Sequence, residues 1–287
     1  MDRIGLVLEG GGMRGAYTAG ALAWLNDHNI TFDYNVGISS GAVYLVCYLL
    51  KNKEAAYNMA INYAADKENV GIRAIFKEGY YVAYKHLFDE CLKKKEHLSI
   101  TPLKEEAVDM ELGCYDLEQG RTVYFNASEL DEDLVLLRAA CSLPIVSETV
   151  EFKGRKLIDG GMTKMIPIER SIERGCTKHF IITTKPADYV RKEASGFMKW
   201  LMKQWYKDYP QEYNDYAIRH LNYNKQMDII QGLVDEGKGY MVRPSRSIKV
   251  SRFSGDKENL IELYQLGYDD MEAQKEEIGK FLGRKIK

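Results

Sequence analysis

Along the first 50 residues of this 287-residue chain, short apolar runs alternate with segments whose apolar residues recur at helical spacing. Residues 4–8 form a continuous β-favouring run, a glycine-rich stretch follows, and residues 16–26 carry apolar side chains at helical spacing. The pattern then repeats, with a β-like run at 32–38, a turn at 39–41 and an apolar helix at 42–50. Two successive strand-turn-helix units predict a parallel sheet whose strand ends carry the chemistry.

Beyond residue 50 the chain is mostly helical, with scattered strands. Residues 51–96 carry Tyr, Ala and Leu at helical spacing among charged residues. Residues 195–237 are helical and rich in Trp and Tyr, and residues 259–281 predict a closing amphipathic helix. Further strands are predicted at residues 122–127, 156–158, 179–184 and 240–242. We therefore expect a core domain at 1–190 and a mainly helical region at 191–287, with one returning strand near 239–243.

The chain is close to electrically neutral. Its 40 Lys and Arg residues against 42 Asp and Glu residues give a formal net charge of −2. Because no strong overall field attracts nucleic acid or an anionic membrane, nucleic acid is not an expected partner. Any basic binding surface has to be local, and composition leaves the oligomeric state open.

Cysteine usage and the N-terminal pattern indicate a reducing compartment. The five cysteines are odd in number, widely spaced and free of a Cys-x-x-Cys pair, which argues against a disulfide framework or a zinc site. The chain shows no signal-peptide pattern at its start. Its longest nearly apolar run, residues 42–50, is well short of the ~20 residues that span a bilayer. We expect a cytoplasmic protein that is soluble or at most peripheral to a membrane.

Ser39 is the candidate nucleophile, because residues 37–41 (GISSG) form a Gly-x-Ser-x-Gly turn between a strand and a helix. Such a turn is sharp, and side chains in place of Gly37 and Gly41 would collide with neighbouring backbone. The helix N-terminus also points partial positive charge at a developing oxyanion. Two alternatives stay open. Ser39 acts only as a helix cap, or Ser40 is the nucleophile, although it has no glycine either two residues before or two residues after it.

The glycine loop at residues 10–15 (GGGMRG) predicts an oxyanion hole. Without Cβ atoms, the backbone N–H groups of Gly10, Gly11 and Gly12 can converge on one acyl oxygen. Arg14 could add positive charge for the site or for a substrate phosphate; its alternative is a surface salt bridge.

The same loop fits Gly-x-Gly-x-x-Gly, so a dinucleotide site is an alternative. That site needs an acidic residue at the end of the second strand, whereas Asp33 lies at its beginning. A P-loop is excluded, since no Gly-Lys-[Ser/Thr] follows.

Asp159 is the preferred candidate for the base. Five histidines are present, none in a glycine-rich or turn-like context, and His179 opens a predicted buried strand. By contrast, residues 157–161 (LIDGG) place a carboxylate at the end of a short strand before two glycines that keep its approach open. The alternative is an ordinary Asp-Gly turn.

Taken in order, residues 10–15, 37–41 and 159–161 resemble the motifs of the patatin-like phospholipase family. The small-residue stretch at 138–144 (RAACSLP) and Pro167 fit as well, and the resemblance covers about residues 3–185. Two departures stand out: Ile-Ser-Ser replaces the usual Thr-Ser-Ala, and Met165-Ile166 replaces a frequent Asn pair.

The resemblance implies a three-layer α/β/α fold with a mostly parallel central sheet, plus a helical C-terminal region. It also implies a dyad of Ser39 and Asp159 without histidine, an oxyanion hole from Gly10, Gly11 and Gly12, neither metal nor cofactor, and lipid acyl esters as substrates.

Two rival functions remain. One is an α/β-hydrolase esterase with a Ser-Asp-His triad that uses His179 or His220; the other is a non-catalytic nucleotide- or phosphate-binding module built on the glycine loop. The aromatic helices at 200–223 fit a lid or a lipid-facing surface, or else plain core. A peripheral membrane contact is compatible with a lid or a lipid-facing surface.

Overall fold

The structure, a computed structural model, describes residues 2–286. A central sheet of eight strands carries helices on both faces, which confirms the predicted three-layer α/β/α fold. The strands are β1 (Ile4–Leu8), β2 (Tyr34–Ile38), β3 (Met110–Asp116), β4 (Arg121–Asn126), β5 (Val150–Phe152), β6 (Arg155–Asp159), β7 (Lys178–Ile182) and β8 (Gly239–Val242).

Twelve α-helices are present in the described range. They are α1 (Gly15–Asp27), α2 (Ser40–Leu49), α3 (Lys53–Tyr57), α4 (Ile72–Glu78), α5 (Thr101–Glu105), α6 (Val135–Cys141), α7 (Ile168–Glu173), α8 (Gly196–Trp205), α9 (Pro210–Ala217), α10 (Arg219–Asp235), α11 (Lys257–Ala273) and α12 (Lys275–Phe281). Two π-helical segments, Asn58–Tyr63 and His86–Lys95, lie in the region predicted to be mostly helical. Within residues 2–286, no helix has the length and apolar character needed to cross a membrane.

The sheet is mostly parallel, as predicted. Strands β3, β2, β1, β7 and β8 run parallel in that order, and β4, β5 and β6 are antiparallel to their neighbours. Sequence patterning missed β3 and β5. In β3 a charged residue, Glu111, interrupts the apolar pattern, but Arg170 and Tyr34 contact its carboxylate and allow its burial.

One edge of β3 is shared by two strands that arrive from opposite directions. Strand β4 pairs along almost the whole of the other edge. On the shared edge, the parallel partner β2 ends with Ile38 opposite Gly113, and the antiparallel partner β6 ends with Asp159 opposite Cys114. The residues that follow β2 and the last residue of β6 are therefore forced to meet.

The two sheet faces have separate cores. Along β1, Leu6 and Leu8 belong to the core under α1, α2 and α11, whereas Val7 belongs to the core under α7 and α10. This alternation follows from the two-residue period of a strand. A third, smaller core lies between the β3–β6 end of the sheet and α8.

The C-terminal part of the chain completes both the sheet and one helical layer. Strand β8 adds to β7 in parallel, and α11 packs directly on α1. The division at residue 190 stays a prediction. The prediction of one closing helix over 259–281 is wrong, because two helices occupy this stretch. Helix α11 ends before Gln274, and α12 begins after it. The Gln274 side chain donates a hydrogen bond to the Asp270 carbonyl and accepts one from the Tyr240 hydroxyl.

Helices α1 and α11 approach closely because each presents a glycine to the other. A Cβ on Gly20 would overlap the carbonyl oxygen of Tyr264, and a Cβ on Gly267 would overlap that of Tyr17. The contact therefore depends on two positions without side chains.

We predict that Gly267→Ala lowers the free energy of unfolding by about 1–3 kcal/mol, because two packed helices must separate. Urea denaturation monitored by circular dichroism measures this change. The matched control is Gly232→Ala in α10, where an added Cβ meets open space and should stabilise the helix by up to ~1 kcal/mol. Equal effects in the two variants would contradict the close approach.

Candidate active site

Ser39 lies at the end of β2 in a left-handed backbone conformation, with φ 55°. A Cβ on Gly37 would come within 2.7 Å of the Gly41 carbonyl oxygen, and one on Gly41 within 2.8 Å of the Glu9 carbonyl oxygen. The predicted need for both glycines is confirmed. Ser39 occupies the position before α2, yet its side chain makes no capping hydrogen bond. Helix capping therefore does not explain this serine.

Asp159 ends β6 and is buried. Its Oδ1 accepts a hydrogen bond from Gly161 N at 2.7 Å, and its own N–H donates to the Ser142 carbonyl at 2.8 Å, within the small-residue stretch noted in the sequence. Its Oδ2 has no partner with hydrogen-bond geometry among the described residues. Burial raises the pKa of Asp159, and the nearby Ser39 hydroxyl and the Arg219 charge oppose that rise.

Ser39 and Asp159 are thus neighbours: the Ser39 hydroxyl is close enough to lower the pKa of the carboxylate, although no hydrogen bond with standard geometry joins them. Contacts of this kind commonly tighten only when substrate is bound. Both residues line one small polar cavity, together with the glycine loop.

The glycine loop fits its predicted role only in part. All three glycines line the cavity. However, Gly10 N–H donates to the Met165 carbonyl at 3.1 Å, and Gly11 N–H donates to Ser40 Oγ at 3.0 Å. The backbone of Gly12 has φ 59°, and its N–H donates to none of the described residues. Gly10 is therefore corrected from donor to structural residue, because a main-chain carbonyl holds its N–H, whereas the Gly11 N–H is held by a side-chain hydroxyl that can rotate away.

The start of this loop is fixed by a buried ion pair. Glu9 accepts hydrogen bonds from the Lys185 ammonium, from Thr184 N at 2.6 Å and from Thr184 Oγ1 at 3.0 Å. Burial lowers the pKa of Lys185 to about 8. Since both charges are buried, removal of either one would leave the other uncompensated.

Arg14 is not in the cavity that contains Ser39. Its Nε donates to the Val250 carbonyl at 3.2 Å, and its side chain lines neighbouring grooves. The predicted contact of Arg14 with substrate at the reacting centre is therefore not supported by its position. The short loop turns the side chain toward the C-terminal region instead.

The candidate histidines lie away from the site. His179 is buried in β7, where its Nδ1 contacts Ser171 Oγ at 2.9 Å and burial lowers its pKa to about 4. Neither His179 nor His220 is among the described residues that line the cavities beside Ser39. A Ser-Asp-His triad finds no geometric support here.

Asp33, the residue considered for ribose binding, has a structural contact. Its Oδ2 accepts the Ile4 N–H at 2.7 Å, at the amino end of β1. The glycine loop follows the carboxyl end of that strand, so Asp33 and the loop lie at opposite ends of the strands. The dinucleotide interpretation therefore lacks its acidic partner.

Sequence reasoning missed three arginines, Arg191, Arg219 and Arg252, that line the cavity with Ser39. Arg191 precedes α8, Arg219 opens α10, and Arg252 precedes α11. No motif marks these isolated residues. Folding brings them together because the C-terminal region closes over the strand ends.

A second, largely apolar cavity adjoins the first. The two share Gly12, Ser39 and Arg252, so Ser39 lies at their junction. Among the residues that line the apolar cavity are Val43, Met59, Val70, Val82, Leu87 and Cys141. Ser39 therefore faces apolar surroundings on one side and cationic surroundings on the other.

The aromatic helices at 200–223 divide between core and surface. Tyr206 and Tyr223 are buried, while Trp200 and Trp205 are exposed. None of these four lines either cavity beside Ser39. A role for the exposed pair in covering the site stays a prediction.

Glu212 in α9 is a buried carboxylate near Arg219, one of the arginines that line the cavity. Both of its oxygens lack hydrogen-bond partners among the described residues. Burial raises its pKa to about 8; the Arg219 charge opposes the rise and the Asp215 charge adds to it. Glu212 is therefore protonated in the folded protein over a pH range where an unfolded chain would release the proton.

We predict that Glu212→Gln removes a loss of stability that the native chain suffers as pH rises. Between pH ~4.5 and ~8 the unfolded native chain binds fewer protons than the folded one, so its stability falls across that window. Gln cannot ionise, so across this window the free energy of unfolding of the variant should rise relative to that of the native chain, by on the order of a few kcal/mol.

Urea denaturation at several pH values tests this, with Glu106→Gln, an exposed position, as control. A stability difference between Glu212→Gln and native protein that does not change with pH would contradict it.

Two family models match this chain, one over its first part and one over its C-terminal part. A family model described as patatin-like phospholipase matches residues 6–172, more than half of the chain. A second model, a domain of unknown function (DUF6363), matches residues 209–283.

Individual relatives are distant. Uncharacterized protein YjjU of Escherichia coli K12 is 25% identical over 215 residues, covering 69% of this chain and 57% of that protein. "Probable lipid hydrolase 463L" of Invertebrate iridescent virus 6 is 26% identical over 226 residues, covering 70% and 74%. The crystal structure of VipD from Legionella pneumophila matches with a TM-score of 0.49 and 11% identity, covering 95% of this chain and 66% of that one.

Proposed function

The chain belongs to the patatin-like phospholipase family, and on that premise we propose that it hydrolyses acyl esters of lipids with Ser39 as nucleophile and Asp159 as its base. One observation carries the proposal: opposed strand ends bring a serine in a strained turn beside a buried carboxylate. Strain of this kind is concentrated at functional sites.

In the proposed reaction, Asp159 takes the hydroxyl proton while Ser39 Oγ bonds to the acyl carbon, and the carbonyl electron pair moves onto oxygen. Collapse of this intermediate breaks the bond to the alcohol, which leaves with the proton from Asp159. Water then attacks the acyl-enzyme in the same way, releasing the acid and free Ser39.

The proposed oxyanion donors are Gly12 N–H and, once it leaves Ser40 Oγ, Gly11 N–H. The α2 N-terminus adds partial positive charge after Ser39. Fixed donors at this position stabilise negative charge that develops only during reaction.

The apolar cavity is the proposed site of the acyl chain. Because Ser39 is among the residues that line it, an acyl group lying in it would present its carbonyl carbon to Oγ. Apolar burial there would supply binding energy at about 0.8 kcal/mol per CH₂ group.

Ser39→Ala should abolish hydrolysis of a p-nitrophenyl acyl ester, and Asp159→Asn should lower kcat by at least about 100-fold, since proton transfer to a positioned base supplies that much. Both variants should keep the native circular dichroism spectrum. A fluorophosphonate, followed by intact-protein mass spectrometry, should label native protein and the exposed-serine control Ser99→Ala, but not Ser39→Ala. Full turnover by Ser39→Ala would refute the proposal.

Arg219→Gln should move the acid limb of kcat/KM to higher pH. Its positive charge lowers the pKa of Asp159, so its loss makes the carboxylate harder to ionise, and only ionised Asp159 can accept the proton. Arg219→Lys keeps the charge and is the matched control, with its acid limb near that of native enzyme. An unshifted limb in Arg219→Gln would show that the arginine does not influence this carboxylate.

A further inference from the structure

Three arginines surround the polar side of the Ser39 site with little opposing charge. Arg191, Arg219 and Arg252 line the cavity, and Asp159 is the one carboxylate among its described lining residues. Within residues 2–286, none of the three arginines forms an ion pair. The cavity therefore has an excess of positive charge.

Most of the guanidinium donors remain available. Arg219 uses Nε to donate to the Gly161 carbonyl at 2.6 Å. The Arg191 guanidinium lies 5.5 Å from the centre of the Tyr223 ring, and that of Arg252 lies 5.9 Å from the Phe253 ring. Neither makes a side-chain hydrogen bond within the described part of the chain. Ring faces hold these groups while leaving their N–H edges open.

The arginines also repel one another. Arg219 is buried, and burial lowers its pKa to about 9, with further lowering by the charges of Arg252 and Arg191. Burial, and then Arg252, likewise lowers the pKa of Arg191. Like charges held together in a partly buried cavity destabilise the free protein, and a bound anion would relieve that cost.

The position of the cluster identifies which part of a substrate it would contact. Ser39, Gly12 and Arg252 lie where the apolar cavity meets the arginine-lined one, and Arg191 and Arg219 line the second cavity without lining the first. The acyl chain and the alcohol lie on opposite sides of a scissile ester carbonyl, so an anion among the arginines belongs to the alcohol. The polar cavity has no aromatic ring among its described lining residues, so a quaternary ammonium would have no cation–π partner there.

We propose that Arg191, Arg219 and Arg252 form a charge-selecting subsite that takes the phosphate of a net-anionic, phosphorylated acyl ester, with its acyl chain in the apolar cavity. All three follow the matched phospholipase region, and two lie within the domain of unknown function at 209–283. The C-terminal region thus sets head-group preference at a site whose nucleophile comes from the N-terminal region. The hydrolytic form of this inference rests on the proposed function.

The test compares oleoylglycerol phosphate with oleoylglycerol, two esters that differ in the phosphate, in the same mixed micelles at constant ionic strength. Native enzyme should favour the phosphate by about tenfold or more in kcat/KM. Arg191→Gln and Arg252→Gln should each raise KM for the phosphate by about 10- to 100-fold, the usual value of a charged hydrogen bond. For each variant, the loss in kcat/KM on the phosphate ester should exceed the loss on the neutral ester by about tenfold or more.

Two control variants accompany this comparison. Arg191→Lys, which keeps the charge, should recover much of the preference for phosphate, and Arg246→Gln, an exposed arginine paired with Glu262, should behave as native. Equal losses on both esters would overturn the proposal, because the arginines would then act on the oxyanion or on folding. Absence of any preference in the native enzyme would also overturn it.

A binding arm separates failure of this inference from failure of the proposed function. Calorimetry with a non-hydrolysable ether analogue of oleoylglycerol phosphate should show binding to native protein that weakens about tenfold or more in Arg252→Gln. Such binding without turnover of either ester would refute hydrolysis and keep the anion subsite. Inorganic phosphate that binds as tightly as the ether lipid would overturn the lipid assignment.

Discussion

Everything at the candidate site depends on how one edge of β3 is divided. Strand β2 pairs with its first half, and β6 enters from the opposite direction to pair with its second half. Two strands cannot overlap on one edge, so they end facing each other. The serine after β2 and the aspartate that ends β6 are neighbours for that reason. The same convergence crowds Gly160, where an added Cβ would lie 2.5 Å from the Gly113 carbonyl oxygen of β3.

Buried charge is the second constraint, and it is handled differently on the two sides of the glycine loop. Before the loop, Glu9 is matched by Lys185 and by two donors from Thr184. On the other side, Asp159 accepts one backbone N–H and lies within reach of the charges of Arg219 and Arg252. A fully satisfied pair gives rigidity, whereas an incompletely satisfied group keeps the capacity to exchange a proton. The Glu9–Lys185 pair therefore fixes the start of the loop, and the loop itself lines the cavity that contains Ser39 and Asp159.

The C-terminal region cannot be treated as an appendage to the phospholipase-like part. It contributes β8 to the central sheet, α11 to one helical layer and three arginines to the cavity with Ser39. The glycine contact between α1 and α11 couples its packing to the helix that follows the glycine loop. A change in that contact would therefore reach the loop through α1.

The sequence alone determined the features whose causes are local. Apolar runs and glycines located β1, β2, β6 and β7, the strained turn at Ser39 and the Asp-Gly-Gly turn, because strand period and turn sterics act over a few residues. Tertiary structure decided the rest. Strand β3 was missed since its buried Glu111 is acceptable only beside Arg170 and Tyr34.

The same reason explains the errors at the site. Gly10 lost its donor role to the distant Met165 carbonyl, and Arg14 turned toward Val250. Arg191, Arg219 and Arg252 are far apart in the chain and carry no local signal. Their common position exists only after folding, because hydrogen bonding and charge depend on which residues the fold brings within a few ångströms of each other.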